Sequence, residues 1–101
     1  MNESTGQQPL TAIVTGASTG IGHAISQRLL VDGFNVVMNA RTAVDLEAAY
    51  SSLGAPKSAR YLVGDIADKA VGAELVRTAE KHFGGVDILV NNAGVLSLIH
   101  I

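Results

Sequence analysis

Three glycines fall within one eight-residue stretch, Thr15-Gly16-Ala17-Ser18-Thr19-Gly20-Ile21-Gly22. An apolar run from Leu10 to Val14 precedes it and reads as a strand. Ile21, Ala24, Ile25 and Leu29 follow at the spacing of one helix face. A strand-to-helix turn of this kind suits a phosphorylated ligand. The first N–H groups of a helix lack intrahelical partners, and the helix dipole favours negative charge there. Gly16 lets the chain turn sharply off the strand. Gly20 has no Cβ to keep a pyrophosphate away, and Gly22 allows the helix start to pack closely on the strand. The spacing is Gly-x-x-x-Gly-x-Gly, not the Gly-x-Gly-x-x-Gly fingerprint, and Gly22 stands where a P-loop needs its Lys. Taken alone, the turn reads equally well as an ordinary glycine-rich loop.

Other residues must therefore decide. A second glycine-bearing segment, Asn91-Asn92-Ala93-Gly94, follows the apolar run Val86 to Val90. Asn39-Ala40-Arg41 closes another apolar run. NAD-binding domains place an Asp or Glu at that point for the ribose 2′-OH. Here Arg41 could pair instead with a 2′-phosphate, with Ser18 and Thr19 adding hydroxyl donors. The alternative for Arg41 is a solvated side chain at a helix start. Asp32 belongs to a turn and Asp45 to a helix cap, so neither supplies the missing carboxylate. Asp65 is a candidate N-cap. Asp87 suits a role in fixing backbone at a strand start. His23 and His82 read as solvated surface residues. With His100 they show no metal-ligand spacing, and there is no Cys.

The elements that would position these residues alternate. Strands are expected at Leu10–Thr15, Phe34–Asn39, Arg60–Gly64 and Val86–Val90. Helices are expected at Gly20–Val31, Thr42–Leu53, and from the Asp65/Asp68 region to His82. Gly33 and Gly84-Gly85 would end the first and third helices. Thr42-Ala43-Val44-Asp45 matches a capping box. The buried faces are expected to be Leu46, Ala49, Tyr50 and Leu53 on the second helix, and Val71, Leu75, Ala79 and Phe83 on the third. This β-α-β-α-β-α-β pattern predicts an α/β fold with a parallel, Rossmann-type sheet. Four strands in the order 3-2-1-4 with three helices would bring both glycine loops to one crevice.

The 101 residues suffice for one small domain. A hydrophobic share of 48% against 16% charged residues excludes a disordered chain, and a net charge of −2 gives no basic patch for nucleic acid or an anionic membrane. No apolar run approaches the ~18 residues of a membrane span. A soluble, cytoplasmic protein is expected. Residues 1–9 read as a flexible tail, residues 10–95 as an NAD(P)-binding half-domain, and residues 96–101 as an atypical apolar tail.

With the motifs in this order, the sequence resembles the short-chain dehydrogenase/reductase family over about Leu10 to Val95. The family's cofactor turn is matched by Thr15 to Gly22. Its adenine-holding segment is matched by Gly64-Asp65-Ile66, and its fourth-strand motif by Asp87 to Gly94. The nearest look is to reducers of 3-oxoacyl thioesters or small ketones. The resemblance implies a nicotinamide dinucleotide cofactor, and Arg41 makes NADP(H) the expectation, with NAD(H) the lesser one. It would be held by Gly16, Ser18, Thr19, Gly20, Ile21, Gly22, Arg41, Asp65, Ile66, Asn92, Ala93 and Gly94. It also implies that Asp65 meets the adenine amino group beside the Ile66 backbone, that the Asn92 segment borders the ribose, and that Asn91 is mainly structural.

Family members reduce carbonyls with a Tyr acid and a Lys four residues on. Here Tyr50 is followed at that spacing by Gly54 and Tyr61 by Asp65. No catalytic residue is therefore assigned. The chain is expected to be a truncated form, inactive alone, with an open fourth-strand edge prone to self-association. The competing reading is a non-enzymatic short form that binds nucleotide or a longer subunit. A methyltransferase-like domain gives no reason for Asn91-Asn92-Ala93-Gly94.

Overall fold

A computed structural model describes residues 8–93. Gly94, the segment 96–101 and most of the expected N-terminal tail lie outside them. Seven elements alternate: β1 (Thr11–Thr15), α1 (Gly20–Val31), β2 (Asn35–Ala40), α2 (Ala43–Ser52), β3 (Ala59–Val63), α3 (Lys69–Phe83) and β4 (Ile88–Asn91). The sheet is parallel throughout, in the order β3-β2-β1-β4. This is the Rossmann-type arrangement expected from the alternation.

Both faces of the sheet are covered, which explains the near-continuous apolar strands. Val14, Val36 and Met38 point to one side and pack with Leu46 and Ala49 of α2; Ile25, Leu29 and Leu30 of α1 lean on the same cluster. Ile13 and Val37 point to the other side and pack with Leu75 and Ala79 of α3 and with Ile66. Strand neighbours thus serve opposite layers, as the two-residue period requires. In register, Val14 pairs with Met38 on one side and Val90 on the other.

Element ends shift by one or a few residues from the expected ones, for identifiable reasons. The Phe34 N–H bonds the Leu29 carbonyl at 2.9 Å, so Phe34 closes α1 and β2 begins one residue later. Gly33 takes φ +92° and Gly84 φ +90°, the left-handed values that end helices. The start of α3 is Lys69, not the Asp65 region. Asp68 is its N-cap, and its carboxylate accepts the Ala70 N–H at 2.9 Å.

Two helix expectations are corrected. Ile21 is 71% exposed and Ala24 is also exposed; the buried positions of α1 are Gly22 and Ser26. The helix lies too close to the β1 turn for a larger side chain. A Cβ on Gly22 would overlap the Gly16 carbonyl and come within 2.6 Å of Asn92 Nδ2. The Ser26 hydroxyl is satisfied by donating to the Gly22 carbonyl at 2.9 Å. The capping box of α2 does not form. Thr42 is the extended N-cap residue, yet its side chain makes no capping bond. Asp45 is left exposed in the first turn of α2. No helix among the described residues is long and apolar enough to cross a membrane.

Candidate functional site

A cleft of about 380 Å³ opens at the carboxyl ends of β1, β2 and β3. This is the crevice position for a ligand in an open α/β sheet. Gly16, Ser18 and Thr19 line it from the turn after β1, and Asn39, Ala40, Arg41 and Thr42 from the end of β2. Asp65 and Ile66 close it from the loop after β3, Ala93 from the loop after β4, and Asp45 from α2. The structure thus gathers Gly16, Ser18, Thr19, Arg41, Asp65, Ile66 and Ala93 around one space. Gly20, Ile21, Gly22 and Asn92 lie outside its lining, and Gly94 falls outside the described residues.

The glycines divide the work of the turn. Gly16 adopts φ +61°, and a Cβ there would press within 3.2 Å of the Ala93 backbone, so the two loops touch. Gly20 adopts φ +57° with open space where its Cβ would stand. A side chain at Gly20 would be strained by backbone geometry, not by crowding. Thr19 is the N-cap of α1 but makes no side-chain cap bond, and the first turn contains no acidic residue. The helix start therefore keeps donor capacity for an anion.

The β4 loop is tied to this turn by side chains. Asn92 Nδ2 donates to the Gly16 carbonyl at 3.2 Å. The Thr15 hydroxyl donates to Asn91 Oδ1 at 3.1 Å and accepts the Ala93 N–H at 3.2 Å. Both asparagines brace the loops. At the opposite end of the sheet, Asp87 accepts the Thr11 N–H at 2.8 Å, fixing the strand start as expected.

Asp65 does not cap α3. Its Oδ1 accepts the Ala67 N–H at 2.9 Å in a local Asx turn, and the residue stays exposed at the cleft edge. Arg41 is exposed and belongs to neither surface ion pair found among the described residues, Arg28–Asp32 and Arg77–Glu74. His23 is not freely solvated. It is half-buried, with Nε2 3.1 Å from the Ser52 hydroxyl. That hydroxyl already donates to the Ala49 carbonyl at 2.8 Å, so Nε2 carries the hydrogen.

Four lining residues, Asn39, Ala40, Thr42 and Asp45, are absent from the set expected from the sequence. Asp45 was assigned to a cap that does not form. Asn39 was read only as the end of a strand, yet it is 1% exposed and makes two side-chain bonds. A polar residue inside a fully covered apolar strand was the available signal.

Residues 10–100 match the family model for short chain dehydrogenase. The 1-deoxy-11-beta-hydroxypentalenate dehydrogenase of Streptomyces avermitilis is 42% identical over 90 residues, covering 88% of this chain and 33% of that protein. The NAD+-linked 15-hydroxyprostaglandin dehydrogenase of Rattus norvegicus is 40% identical over 87 residues, covering 83% of this chain and 33% of that protein. Among solved structures, YwfH, an NADPH-dependent reductase of bacilysin biosynthesis, superposes with a TM-score of 0.76 at 34% identity, covering 84% of this chain and 37% of that one. The chain spans about a third of the length of the curated relatives it matches.

Proposed function

The chain belongs to the short-chain dehydrogenase family, and from that premise we propose that its cleft holds the adenosine side of a nicotinamide dinucleotide, NADP(H) in preference to NAD(H), for an oxidoreductase. The observation that carries this reading is the joint lining of one cleft by the Gly16–Thr19 turn, Arg41 and Asp65. The residues fit such a group. Gly20 has left-handed backbone and open space beside an uncapped helix start, which suits a pyrophosphate. Arg41 stands at the end of β2, where a 2′-phosphate would be recognised, with Ser18 and Thr19 across the cleft as further donors. Asp65 stands at the rim, where a carboxylate oxygen can accept from an adenine amino group.

Ile21, Gly22, Asn92, Ala93 and Gly94 complete the proposed cofactor set. Of these, Gly22 and Asn92 act by holding the turn in shape. We take residues 10–95 as the cofactor-binding unit. When bound, the dinucleotide supplies or accepts a hydride. These residues bind and orient it, and no Tyr-x-x-x-Lys lies among the 101 residues to donate a proton to a carbonyl. The 101-residue chain alone is therefore predicted to bind the cofactor without oxidising NADPH in the presence of ketones. β4 stands last in the strand order β3-β2-β1-β4, and this end of the sheet is proposed as a surface for self-association.

Relatives of both cofactor habits occur, one NAD+-linked and one NADPH-dependent by name, so the test must separate the two. Titration of the chain with NADP+ and NAD+ should give tighter NADP+ binding, and Arg41→Ala should remove that difference. A preference that survives Arg41→Ala would take Arg41 out of the account.

A further inference from the structure

Gly64 follows the last residue of β3 and begins the loop that carries Asp65 and Ile66 to the cleft. It is not among the glycines with positive φ, so its backbone angles do not require glycine. Space does. A Cβ on Gly64 would stand 2.8 Å and 3.1 Å from the two methyl carbons of Val71 and 3.5 Å from its Cβ. Val71 lies in the first turn of α3 and packs on the cluster of Ile13, Val37, Ile66 and Leu75. A β-branched side chain in a helix has one strongly preferred rotamer, so its methyls do not swing away at little cost.

The two residues in contact are held from opposite sides. Gly64 is pinned to β2: its N–H donates to the Ala40 carbonyl at 2.9 Å, and its carbonyl accepts from Asn39 Nδ2 at 3.1 Å. Asp65 is held by the residues that lead into α3. Its carbonyl accepts the Asp68 N–H at 2.9 Å, and the Asp68 carbonyl accepts the Val71 N–H at 3.0 Å. We infer that Gly64 is a positioning residue for the adenine side of the cleft: its bare Cα lets Val71 seat the start of α3 against the exit of β3, and this contact fixes where Asp65 and Ile66 stand. The inference rests on the dinucleotide reading above for its ligand, though not for its geometry. Because two hydrogen bonds hold Gly64 to β2, an added methyl is relieved on the other side, by movement of Val71 and the first turn of α3. Asp68 moves with that turn and draws the Asp65 carbonyl after it. The Gly16–Thr19 turn and Arg41 follow β1 and β2 and keep their places. Gly64 therefore bears on how the adenine is held and not on the choice between a 2′-hydroxyl and a 2′-phosphate.

The test is a double-mutant cycle on the 101-residue chain: Gly64→Ala, Val71→Ala and the two together. NADP+, NAD+ and AMP are titrated separately, and the amide NMR signals of Asp65, Ala67 and Asp68 are recorded without ligand. Gly64→Ala should weaken all three ligands about tenfold and leave the ratio of NADP+ to NAD+ affinity within about twofold. Val71→Ala removes both methyls, so the double variant should return to within about threefold of the unaltered chain. Val71→Ala alone opens space without pushing the loop and should weaken binding less than about threefold. The three amide signals should shift in Gly64→Ala and return in the double variant. A residue that only stabilised the fold would lower the urea midpoint and leave the folded chain's affinities alone. Unchanged affinities in folded Gly64→Ala would overturn the inference. So would a loss that Val71→Ala does not repair, or a loss confined to one dinucleotide. If Gly64→Ala does not fold, the double variant decides: folding with near-unaltered affinities supports the inference, and unfolding or binding about tenfold weaker overturns it. An unaltered chain that binds neither dinucleotide sinks the dinucleotide reading alone, and the amide signals then decide whether Gly64 and Val71 place the loop.

Discussion

Asp45 shares its cleft with Arg41, four residues before it, and with Asp65. A carboxylate this near a proposed 2′-phosphate opposes the ligand that Arg41 attracts. Asp45→Asn should therefore tighten NADP+ severalfold and leave NAD+ nearly unchanged, with the gain shrinking as salt rises. Calorimetric titration at two ionic strengths checks this; equal effects on both nucleotides would remove Asp45 from the cleft's electrostatics. The glycines separate in the same way. Gly22→Ala would drive a methyl into the Gly16 carbonyl and Asn92, and should cost about 1–3 kcal/mol of stability, as overpacking does. Gly20→Ala meets open space but must hold φ +57°, so its stability loss should be about 1–2 kcal/mol, with a methyl added where the ligand approaches. Urea unfolding of the two variants, with NADP+ titration of the second, tests the division. The positive φ of Gly16 and Gly20 could be read from residue type and turn position. The crowding at Gly22 involves Asn92, seventy positions away in the chain, and no local pattern announces such a contact.

At the scale of elements, two helix starts that look alike in sequence behave differently. Asp68 caps α3 through the Ala70 N–H, whereas the Thr42 hydroxyl makes no cap bond at α2. Asp68→Ala should cost about 1 kcal/mol and Thr42→Ala much less, as thermal or urea unfolding can show. The capping-box match at Thr42 misled because a four-residue pattern does not specify the rotamers that close it. The buried faces of α2 and α3 were legible because apolar residues recur there at helical spacing. That of α1 was not, because a helix packed through Gly22 and Ser26 buries small residues that carry little hydrophobic signal. Between α2 and β3, the Tyr50 and Tyr61 rings lie 4.9 Å apart, and the Tyr61 hydroxyl is 3.5 Å from Glu47 Oε2. Desolvation, then the Glu47 charge, push the Tyr61 phenol above its ordinary value of about 10. A folded-state value raised in this way gives a contribution that is complete below the unfolded value and is lost as pH rises through the folded one. Stability should show no Tyr61-linked loss below pH about 10 and decline above it, and Glu47→Gln should move the phenol's ultraviolet titration downward.

For the whole molecule, the strand order could be read in advance because alternating strands and helices, short connections and right-handed crossovers leave few arrangements. Two apolar layers follow from the two-residue period of β1 and β2, with Ile13 and Val37 facing α3, and Val14 and Met38 facing α1 and α2. The cleft followed from that topology, which brings the carboxyl ends of the strands together. Its floor did not, because Asn39 donates to the carbonyls of Leu62 in β3 and of Gly64 just after it, which only the folded sheet places beside it. The assembled site then makes one central claim, that this chain binds a nicotinamide dinucleotide and uses Arg41 to choose between its two forms. The direct measurement is a paired titration of the purified 101-residue chain with NADP+ and NAD+ under identical salt, repeated with Arg41→Ala. The account predicts NADP+ binding about tenfold tighter, a difference of ~1.4 kcal/mol, and its loss in Arg41→Ala with NAD+ binding little altered. Equal affinities in the unaltered chain, or tighter NAD+, would contradict it.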